Sequence, residues 1–399
     1  MALDFEFSPE ERAFADEVER FLDEHHDPEV MDPTKENFAQ LVDTPARRHF
    51  MKKLAERGWL GMTWPKQYGG REMEGVYEYI LNEALARRGA PQIGKGVGII
   101  GKTLIRHGSE TLKQEFLPKI IRAEIEFAVG YSEPQAGSDA ANMQLRAEKV
   151  PGGWKMNGQK IWTTSAHFAD WYWFGARTDP EKPRHDGISL FLLPMNAKGL
   201  EIQGMPTIGK DITNQVFFTD VFVNDDYLVG QRGRGFQYIS EALDLERFTM
   251  FTFSPIAERA KLLIDWVRGA RVDGQPLRRD PVVRQQIARL ATDIAVAHGL
   301  SLRFVWESIK SERHGKAAPT CESSQYKLFA TQLSQRGCNL ALDLQGVAGT
   351  LRVDQPAAPL SGRFEGAYRA TVVETIGGGS SEIQKNILAR RKLGLPKNF

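Results

Sequence analysis

The sequence has few residues of the kinds that mark disulfide-rich, metal-binding or membrane proteins. Among 399 residues there are only two cysteines, Cys321 and Cys338. Two cysteines make neither a disulfide framework nor a metal site, so we expect no metal, and they are typical of a reducing compartment. No apolar stretch approaches the roughly 18 residues that a membrane span needs. The acidic start of the chain lacks the basic and apolar segments of a signal peptide, so we expect a cytoplasmic protein.

Neither sign of charge is in excess. The 52 Lys and Arg residues balance 51 Asp and Glu residues, for a formal net charge of +1. This balance does not indicate a nucleic acid or a membrane surface as a partner, and we expect neither. The chain also lacks the Gly-x-Ser-x-Gly elbow of many serine hydrolases. Its composition is ordinary for a globular protein, and its length allows two or three domains.

The hydrophobic pattern changes twice along the chain. Helical spacing dominates up to about residue 125 and again from about 236, and Ser8 and Glu11 can form a capping box at the first helix. Strands are predicted between these parts, at 127–131, 153–156, 171–177, 187–193, 200–205 and 215–223. Long helices are predicted at 257–267, 282–315 and 323–346, and another after 381. We therefore predict a mainly α protein with an N-terminal α-helical domain (1–125), a middle antiparallel β domain (126–235) and a C-terminal α-helical domain (236–399).

One carboxylate lies within an apolar stripe. The pattern predicts a helix from about Phe236 to beyond Phe253, in which Asp244 points away from the stripe and can pair with Arg247. Glu246 shares the stripe with Ile239, Ala242, Leu243, Met250 and Phe253. Burying an unpaired carboxylate costs several kcal/mol unless it is protonated or satisfied. Glu246 is therefore either a functional group in an apolar site or a residue at the edge of the stripe that reaches solvent, and the pattern leaves both open.

Three loop motifs combine hydroxyl groups with a flexible backbone. The stretch 131–139, Tyr-Ser-Glu-Pro-Gln-Ala-Gly-Ser-Asp, follows a strand and is suited to hold a phosphate or a ring edge. The stretch 162–165, Trp-Thr-Thr-Ser, offers an indole for stacking on a flat cofactor, although a core Trp is as common. Gly377–Gly379 allow close approach to a ligand before a helix that Ser381 and Gln384 are expected to cap. Each motif by itself is also compatible with an ordinary loop or turn.

In this order and spacing, the motifs resemble the acyl-CoA dehydrogenase family. The resemblance covers nearly the full chain through the stretches Gly-Trp-Leu-Gly-Met-Thr-Trp-Pro-Lys-Gln-Tyr-Gly-Gly (58–70), Ser-Glu-Pro-Gln-Ala-Gly-Ser-Asp (132–139), Asn-Gly-Gln-Lys-Ile-Trp-Thr-Thr (157–164) and Ser-Ser-Glu-Ile-Gln-Lys-Asn-Ile-Leu-Ala-Arg-Arg (380–391). It implies a helical domain, a β domain and a C-terminal four-helix bundle. It also implies non-covalent FAD, an acyl-CoA substrate oxidised to its trans-2-enoyl form, and an electron-transferring flavoprotein as acceptor.

The resemblance assigns roles to individual residues. It implies flavin and phosphate contacts for Tyr131, Ser132, Gly137 and Ser138. Trp162 is expected against the isoalloxazine ring and Thr164 near flavin N5. Ser380 and Glu382 match positions that touch the adenosine side of FAD. Substrate contacts are expected from Ser138, Gly378 and Arg247.

The first departure from the family pattern concerns the catalytic base. Many members carry the base as the Glu of a Tyr-Glu-Gly-Thr loop, but the matching position here is Gly378, which has no side chain. A minority branch, including enzymes of the isovaleryl and long-chain types, carries the Glu on a helix just before an Arg. That position is Glu246, beside Arg247. We therefore predict Glu246 and Arg247 as the catalytic residues.

The second departure concerns FAD binding across a subunit interface. The usual Arg, Phe and Gln are replaced by Ala270, Asp273 and Pro281. Of a usual Gln-x-x-Gly-Gly-x-Gly motif only Gln345 and Gly349 remain, and we expect these two to contact FAD. This pattern resembles the catalytic chains of α2β2 actinobacterial enzymes that act on steroid side-chain thioesters. A homotetramer or a heterotetramer is therefore expected.

Two other functions remain open at this level. Because the usual base is absent, the chain is alternatively a non-catalytic FAD-binding or scaffolding subunit, or else a flavin oxidase or monooxygenase of the same fold. The substrate is equally open. The glycine-rich run 94–101 is expected to break the helical pattern between about 75 and 123. It either makes room for a bulky or ring-bearing acyl group or allows close helix packing.

Overall fold

The fold is helical at both ends with a sheet between them. The computed structural model describes residues 6–34, 41–250, 252–314 and 319–396, with the backbone alone for 244–250 and 312. The helices are α1 (Pro9–Glu24), α2 (Pro45–Glu56), α3 (Gly75–Arg88), α4 (Lys102–His107), α5 (Glu110–Ile121), α6 (Gly235–Met250), α7 (Ser254–Gly269), α8 (Pro281–Arg313), α9 (Thr320–Gln345), α10 (Arg363–Glu374) and α11 (Ser381–Ile387). The strands are β1 (Phe127–Gly130), β2 (Arg146–Val150), β3 (Gly153–Lys160), β4 (Trp171–Arg177), β5 (Ile188–Pro194), β6 (Leu200–Pro206), β7 (Ile212–Asn224), β8 (Leu228–Val229), β9 (Arg271–Val272) and β10 (Gln275–Pro276).

The chain forms two compact units. The helical unit comprises the described parts of Met1–Gln40, Gly75–Gln92 and Met250–Phe399, and the sheet unit comprises Leu41–Glu74 and Ile93–Thr249. The three domain boundaries expected from the sequence stay a prediction. No helix in the described ranges is both long enough and apolar enough to span a membrane.

In the helical unit, α9 packs against α7, α8 and α10. The predicted capping box begins α1: the Glu11 N–H donates to Ser8 Oγ (3.1 Å), and the Ser8 N–H donates to Glu11 Oε2 (2.7 Å). The long predicted helices are present as α7, α8 and α9. Helix α10 was not predicted, because Gly366 and a run of β-branched residues at 371–373 weaken its helical pattern.

In the sheet unit, eight strands form one sheet in the order β6-β7-β3-β2-β4-β5-β8, with β1 also paired to β4. The six predicted strands are present, and β2 and β8 are additional. Strand β4 pairs in parallel with β1 and β2, whereas the other neighbours are antiparallel. One face buries stacked aromatic rings from three strands: Tyr172, Phe174, Phe191 and Phe218. The two loops of the candidate site in this unit begin just after β1 and β3, two strands of this sheet.

Two local expectations were wrong. Helix α6 ends at Met250 instead of continuing beyond Phe253, and α7 begins at Ser254 with Pro255 in its first turn, where a missing N–H costs nothing. The glycine-rich run is also no break between helices, since Gly96–Gly101 form a π-helical turn that continues into α4. A Cβ at Gly101 would lie 2.1 Å from the buried Trp64 ring. Glycine at 101 therefore serves close packing.

Replacing Gly101 by Ala is expected to destabilise the protein by about 1–3 kcal/mol, because Trp64 is fully enclosed and cannot move aside. Chemical denaturation of the parent and the variant measures the loss. Gly299→Ala in α8 is the matched control, since a Cβ there meets nothing within 4 Å. Ala is the better helix former, so the control is expected to be neutral or slightly stabilising. Equal effects at both positions would contradict the packing argument.

Candidate active site

The 131–139 loop leaves the sheet at the end of β1 and folds into a tight turn. The N–H groups of Glu133 and Ala136 each donate to the other's carbonyl at 3.0 Å. Tyr131 is half-buried, and its hydroxyl accepts a hydrogen bond from Trp173 Nε1 (2.8 Å). Gly137 and Ser138 are exposed, and a Cβ at Gly137 would meet nothing within 4 Å. The loop therefore has a fixed base and an open tip.

A buried ion pair joins this loop to strand β3. Lys160 Nζ lies 2.7 Å from Glu133 Oε1, with side-chain exposures of 0% and 3%. Lys160 Nζ also donates to the Tyr131 carbonyl (3.4 Å), and the Ile161 N–H donates to the Ser132 carbonyl (3.0 Å). Burial lowers the pKa of Lys160, and the facing Glu133 carboxylate opposes that effect. The pair holds the 131–139 loop against the residues that follow β3.

Those residues, 162–165, place an aromatic ring at the surface. Trp162 has a left-handed backbone (φ 59°) and its residue is 61% exposed, whereas the adjacent Thr163 is fully buried. Thr164 is half-buried, and its carbonyl accepts from Lys95 Nζ at 3.5 Å. An uncovered indole beside a hydroxyl is suited to stack on a planar ligand.

A titratable carboxyl lies at the start of β1 in the same unit. Burial raises the pKa of Glu126 to about 7, while Arg48 and Lys95 lower it and Asp170 raises it further. The Glu126 N–H donates to Asp170 Oδ2 (2.8 Å), which Arg48 also binds (3.0 Å). Lys95 thus lies between this carboxyl and the loop that carries Thr164.

In the helical unit, two buried side chains bind the carbonyls of the glycine turn. Gly378 and Gly379 have left-handed backbones (φ 64° and 89°). Lys327 Nζ donates to the Gly379 carbonyl (2.6 Å), and Gln384 Nε2 donates to the carbonyls of Gly378 (3.2 Å) and Gly379 (3.0 Å). Lys327 and Gln384 are both fully buried, so the turn has a defined conformation.

Ser380, and not Ser381, caps the helix that follows this turn. Its Oγ accepts from the Ile383 N–H at 3.4 Å, so the capping box expected from Ser381 and Gln384 was wrong. Gln384 Nε2 instead donates to the carbonyls of Gly378 and Gly379. Glu382 is exposed in the first turn, and its own N–H together with Ser380 lowers the pKa of its carboxyl.

The predicted catalytic residues lie on α6. The helix contains Glu246 and Arg247, but their side chains, and that of Asp244, lie outside the described residues. Ile239 and Ala242 are each 1% exposed. They precede Glu246 by seven and four residues, which is the spacing of one helical face. These two members of the predicted apolar stripe are therefore buried, whereas Leu243 is half-buried.

Three sequence profiles of one family match the chain in succession. They are the N-terminal domain of acyl-CoA dehydrogenases at residues 8–124, the middle domain at 128–221 and the C-terminal domain at 233–393. The chain belongs to the acyl-CoA dehydrogenase family. The predicted fold, helical then β then a helical bundle, is confirmed. The protein is accordingly an FAD-dependent flavoprotein oxidoreductase that acts on acyl-CoA.

The chain is similar to a mycobacterial protein and to two solved structures. Acyl-CoA dehydrogenase FadE26 of Mycobacterium tuberculosis is 31% identical over 356 residues, which cover 88% of each chain. The structure of the Tcur3481-Tcur3483 steroid ACAD is 28% identical with a TM-score of 0.87, covering 99% of this chain and 100% of that one. The ChsE4-ChsE5 complex of Mycobacterium tuberculosis is 28% identical with a TM-score of 0.86, covering 98% and 99%.

The residues predicted for FAD and substrate divide between the two units. The sheet unit carries Tyr131, Ser132, Gly137, Ser138, Trp162, Thr164, Glu246 and Arg247, and the helical unit carries Gln345, Gly349, Gly378, Ser380 and Glu382. The hydrogen bonds at Ser132 and Lys160 bring the 131–139 and 162–165 loops together.

Sequence reasoning missed the buried residues that support these loops. Lys160 left a signal, because it shares the inward face of β3 with Trp154 and Met156, where a charge is unusual. Asn214 and Lys327 left none, since their partners are backbone carbonyls 51 and 52 residues away in sequence, and Gln384 had been assigned to a helix cap instead.

Glu126→Gln is expected to change how stability depends on pH. The native pKa of about 7 exceeds the usual 4.5, so the native state binds this proton more tightly. The resulting stabilisation is complete below about pH 4.5 and is lost as the pH rises through about 7. The variant cannot titrate. It should match the parent near pH 5 and exceed it at pH 8 by on the order of 1–2 kcal/mol, because Glu126 is partly exposed.

Urea denaturation at these two pH values measures the difference. Glu124→Gln is the control, because Glu124 is exposed and Arg122 lowers the pKa of its carboxyl. The control should not gain stability at pH 8. Parallel pH profiles for the parent and Glu126→Gln would show that Glu126 is not the titrating group.

Proposed function

We propose that the protein oxidises an acyl-CoA thioester to its trans-2-enoyl-CoA, with Glu246 as the base. The observation that carries the proposal is that a carboxylate is missing at one base position of the family and present at the other. Gly378 has no side chain, and Glu246 directly precedes Arg247 on α6. The Glu246 carboxylate takes the α-proton, and the β-hydrogen leaves as a hydride. FAD, when bound, supplies the acceptor for these two electrons.

An apolar surrounding makes Glu246 an effective base. The buried Ile239 and Ala242 lie on its helical face, and desolvation raises the proton affinity of a carboxylate. Arg247, the next residue, is proposed to support the substrate and the active-site arrangement.

The thioester must be polarised before a carboxylate can take its α-proton. Stabilising the developing enolate requires hydrogen-bond donors aimed at the thioester oxygen. We assign one such donor to the Gly378 N–H. The conformation of the turn supports this assignment, because Lys327 and Gln384 bind the carbonyls of Gly378 and Gly379 and so restrict the two peptide planes that follow the Gly378 N–H.

The side chains of the sheet unit suit a bound flavin. Trp162 offers an exposed indole face for the isoalloxazine ring, and Thr164 lies two residues away. Tyr131, Ser132, Gly137 and Ser138 are proposed to contact flavin and phosphate, with Ser138 also near substrate. The open space at Gly137 is compatible with close approach of a ligand to the backbone. Ser380 and Glu382 are proposed for the adenosine side of FAD.

A bulky, steroid-type acyl group is the proposed substrate class. One structural relative at 28% identity is named a steroid ACAD. The glycine-rich run supports this only in part, because Gly96 and Gly101 are explained by close packing against Phe127 and Trp64. A Cβ at Gly94 would have only the Glu126 carboxyl within 4 Å, which leaves space at that position.

A tetramer with a second kind of chain is the proposed assembly, and an electron-transferring flavoprotein is the proposed acceptor. The remnant of the interface motif supports a different partner. Ala348 is exposed where the family has glycine, and the Gln345 Nε2 group is buried without a hydrogen-bond partner among the described residues. Gly349 is retained for packing, since its Cβ would lie 2.9 Å from Gln345 Cβ. Gln345 and Gly349 are proposed to contact FAD in the assembly.

Glu246→Gln is expected to abolish bleaching of the flavin by acyl-CoA under anaerobic conditions, because the amide cannot take the α-proton. Flavin absorbance during titration with short, long, branched and steroid acyl-CoAs measures this. The control is Glu241→Gln on the same helix, where Glu241 pairs with His107 (2.7 Å) and has no proposed role in the reaction. The control should bleach normally. Unchanged bleaching of Glu246→Gln would remove Glu246 from the mechanism, and no bleaching of the parent would favour a scaffolding subunit.

The chain purified alone is expected to bind FAD incompletely and to reach full occupancy with its partner chain. The reason is that Ala270, Asp273 and Pro281 cannot supply the family's usual interface contacts. Light scattering and the ratio of flavin to protein absorbance measure assembly and occupancy. A tetramer of this chain alone with one FAD per chain would contradict the heteromer.

A further inference from the structure

Strand β7 extends past the last residue pair that it shares with β3. The pairing ends at Lys160 and Val216, and the chain then turns away into the 162–165 loop. Asn214 lies two residues before Val216, so it stands beside the departing chain. Asn214 is fully buried. Its place in the fold therefore lets it bind the loop that carries Trp162 and Thr164.

Asn214 binds Thr163 from both sides. The Thr163 N–H donates to the Asn214 carbonyl (3.0 Å), and Asn214 Nδ2 donates back to the Thr163 carbonyl (2.8 Å). Asn214 Nδ2 also lies 3.0 Å from His167 Nδ1, which accepts its second hydrogen. The Asn214 Oδ1 atom has no hydrogen-bond partner among the described residues. The side chain therefore donates one hydrogen bond to the 162–165 loop and one to His167, two residues after it.

The hydroxyl of Thr163 adds a third point of attachment. It lies 3.0 Å from the hydroxyl of Tyr172 on β4. Burial raises the pKa of Tyr172 above its usual range, so this phenol stays neutral and keeps its hydrogen bond. Thr163 is therefore hydrogen-bonded to both β4 and β7. These bonds restrict the backbone on either side of it, at Trp162 and Thr164.

These attachments coincide with an unusual backbone. Trp162 (φ 59°) and Ser165 (φ 75°) are both left-handed, a conformation that is unfavourable for residues with a Cβ. Such residues persist where surrounding contacts fix them, and they concentrate at ligand sites. The left-handed conformation turns the indole outward while Thr163 stays buried.

We propose that Asn214 is a positioning residue for FAD: by binding Thr163 on both sides it holds Trp162 and Thr164 in the orientation that contacts the flavin. The inference rests on the proposed function, which places the flavin against Trp162. Asn214 does not touch the reacting atoms, and it acts through the backbone of Thr163.

A second asparagine provides a matched control. Asn157 on β3 binds β7, since its Nδ2 donates to Asp220 Oδ1 (3.0 Å) and the Asp220 N–H donates to its Oδ1 (2.9 Å). This bridge lies in the same pair of strands, but its partner belongs to no proposed flavin contact. Asn157→Ala therefore tests whether any loss of a bridge between β3 and β7 weakens FAD binding.

The experiment is a double-mutant cycle on the FAD-loaded assembly that the chain forms. Asn214→Leu retains volume without a donor, and Asn214→Ala is the second variant. Each is combined with Trp162→Ala. FAD affinity, flavin fluorescence and the flavin absorption spectrum are measured, together with the melting temperature of the FAD-free protein. The first three report on the flavin contact, and the last reports on folding alone.

We expect each Asn214 variant to weaken FAD binding about tenfold and to reduce quenching of flavin fluorescence, because the Thr163 carbonyl loses its donor. In the Trp162→Ala background the same substitution should change affinity by no more than about twofold, since the group it positions is gone. Asn157→Ala should leave FAD affinity unchanged.

Equal loss of affinity in both backgrounds, or an equal loss from Asn157→Ala, would overturn the inference. Failure of both Asn214 variants to fold would also overturn it, because the residue would then act on folding rather than on the loop. If Trp162→Ala by itself leaves affinity and spectrum unchanged, the proposed placement of the flavin fails as well. If Trp162→Ala has an effect and the Asn214 variants have none, only the inference fails.

Discussion

The buried ion pair of Glu133 and Lys160 is the interaction on which the sheet-side site depends. It joins the end of β1 to the end of β3 at 2.7 Å, in a place that water does not reach. A charge buried there without its partner would be costly, so neither side chain can leave while the other stays. Glu133 also accepts the N–H groups of Gln144 and Leu145. The pair therefore defines both loops that are proposed to hold the flavin.

A second buried lysine has the same function in the helical unit. Lys327 donates to the Gly379 carbonyl at 2.6 Å, as Lys160 donates to the Tyr131 carbonyl at 3.4 Å. A buried ammonium must find acceptors, and a main-chain carbonyl in a turn is one that the fold can present. Both lysines thus stabilise loops whose N–H groups or side chains remain available to ligands. Asn214 extends the same principle to the Thr163 peptide.

Much of the fold could be predicted from local patterns. The strands β1 and β3–β7 and the long helices α7–α9 follow hydrophobic periodicity, which records directly which face of an element is buried. The end of α6, the cap at Ser380 and helix α10 were misjudged or missed, because they depend on Pro255, on Gln384 binding glycine carbonyls, and on packing against α9. The parallel pairing of β1 and β2 with β4 was also not readable, since it joins segments distant in sequence.

The sequence by itself determined the family, through motifs whose order and spacing recur along almost the whole chain, and with it FAD and an acyl-CoA substrate. It also determined that Gly378 cannot be a base, since glycine has no side chain, and it led to Glu246 as the proposed base. Only the tertiary structure showed which residues hold the loops in place. Glu133, Lys160, Asn214 and Lys327 act through burial and through hydrogen bonds to distant backbone, and neither quantity exists until the chain has folded.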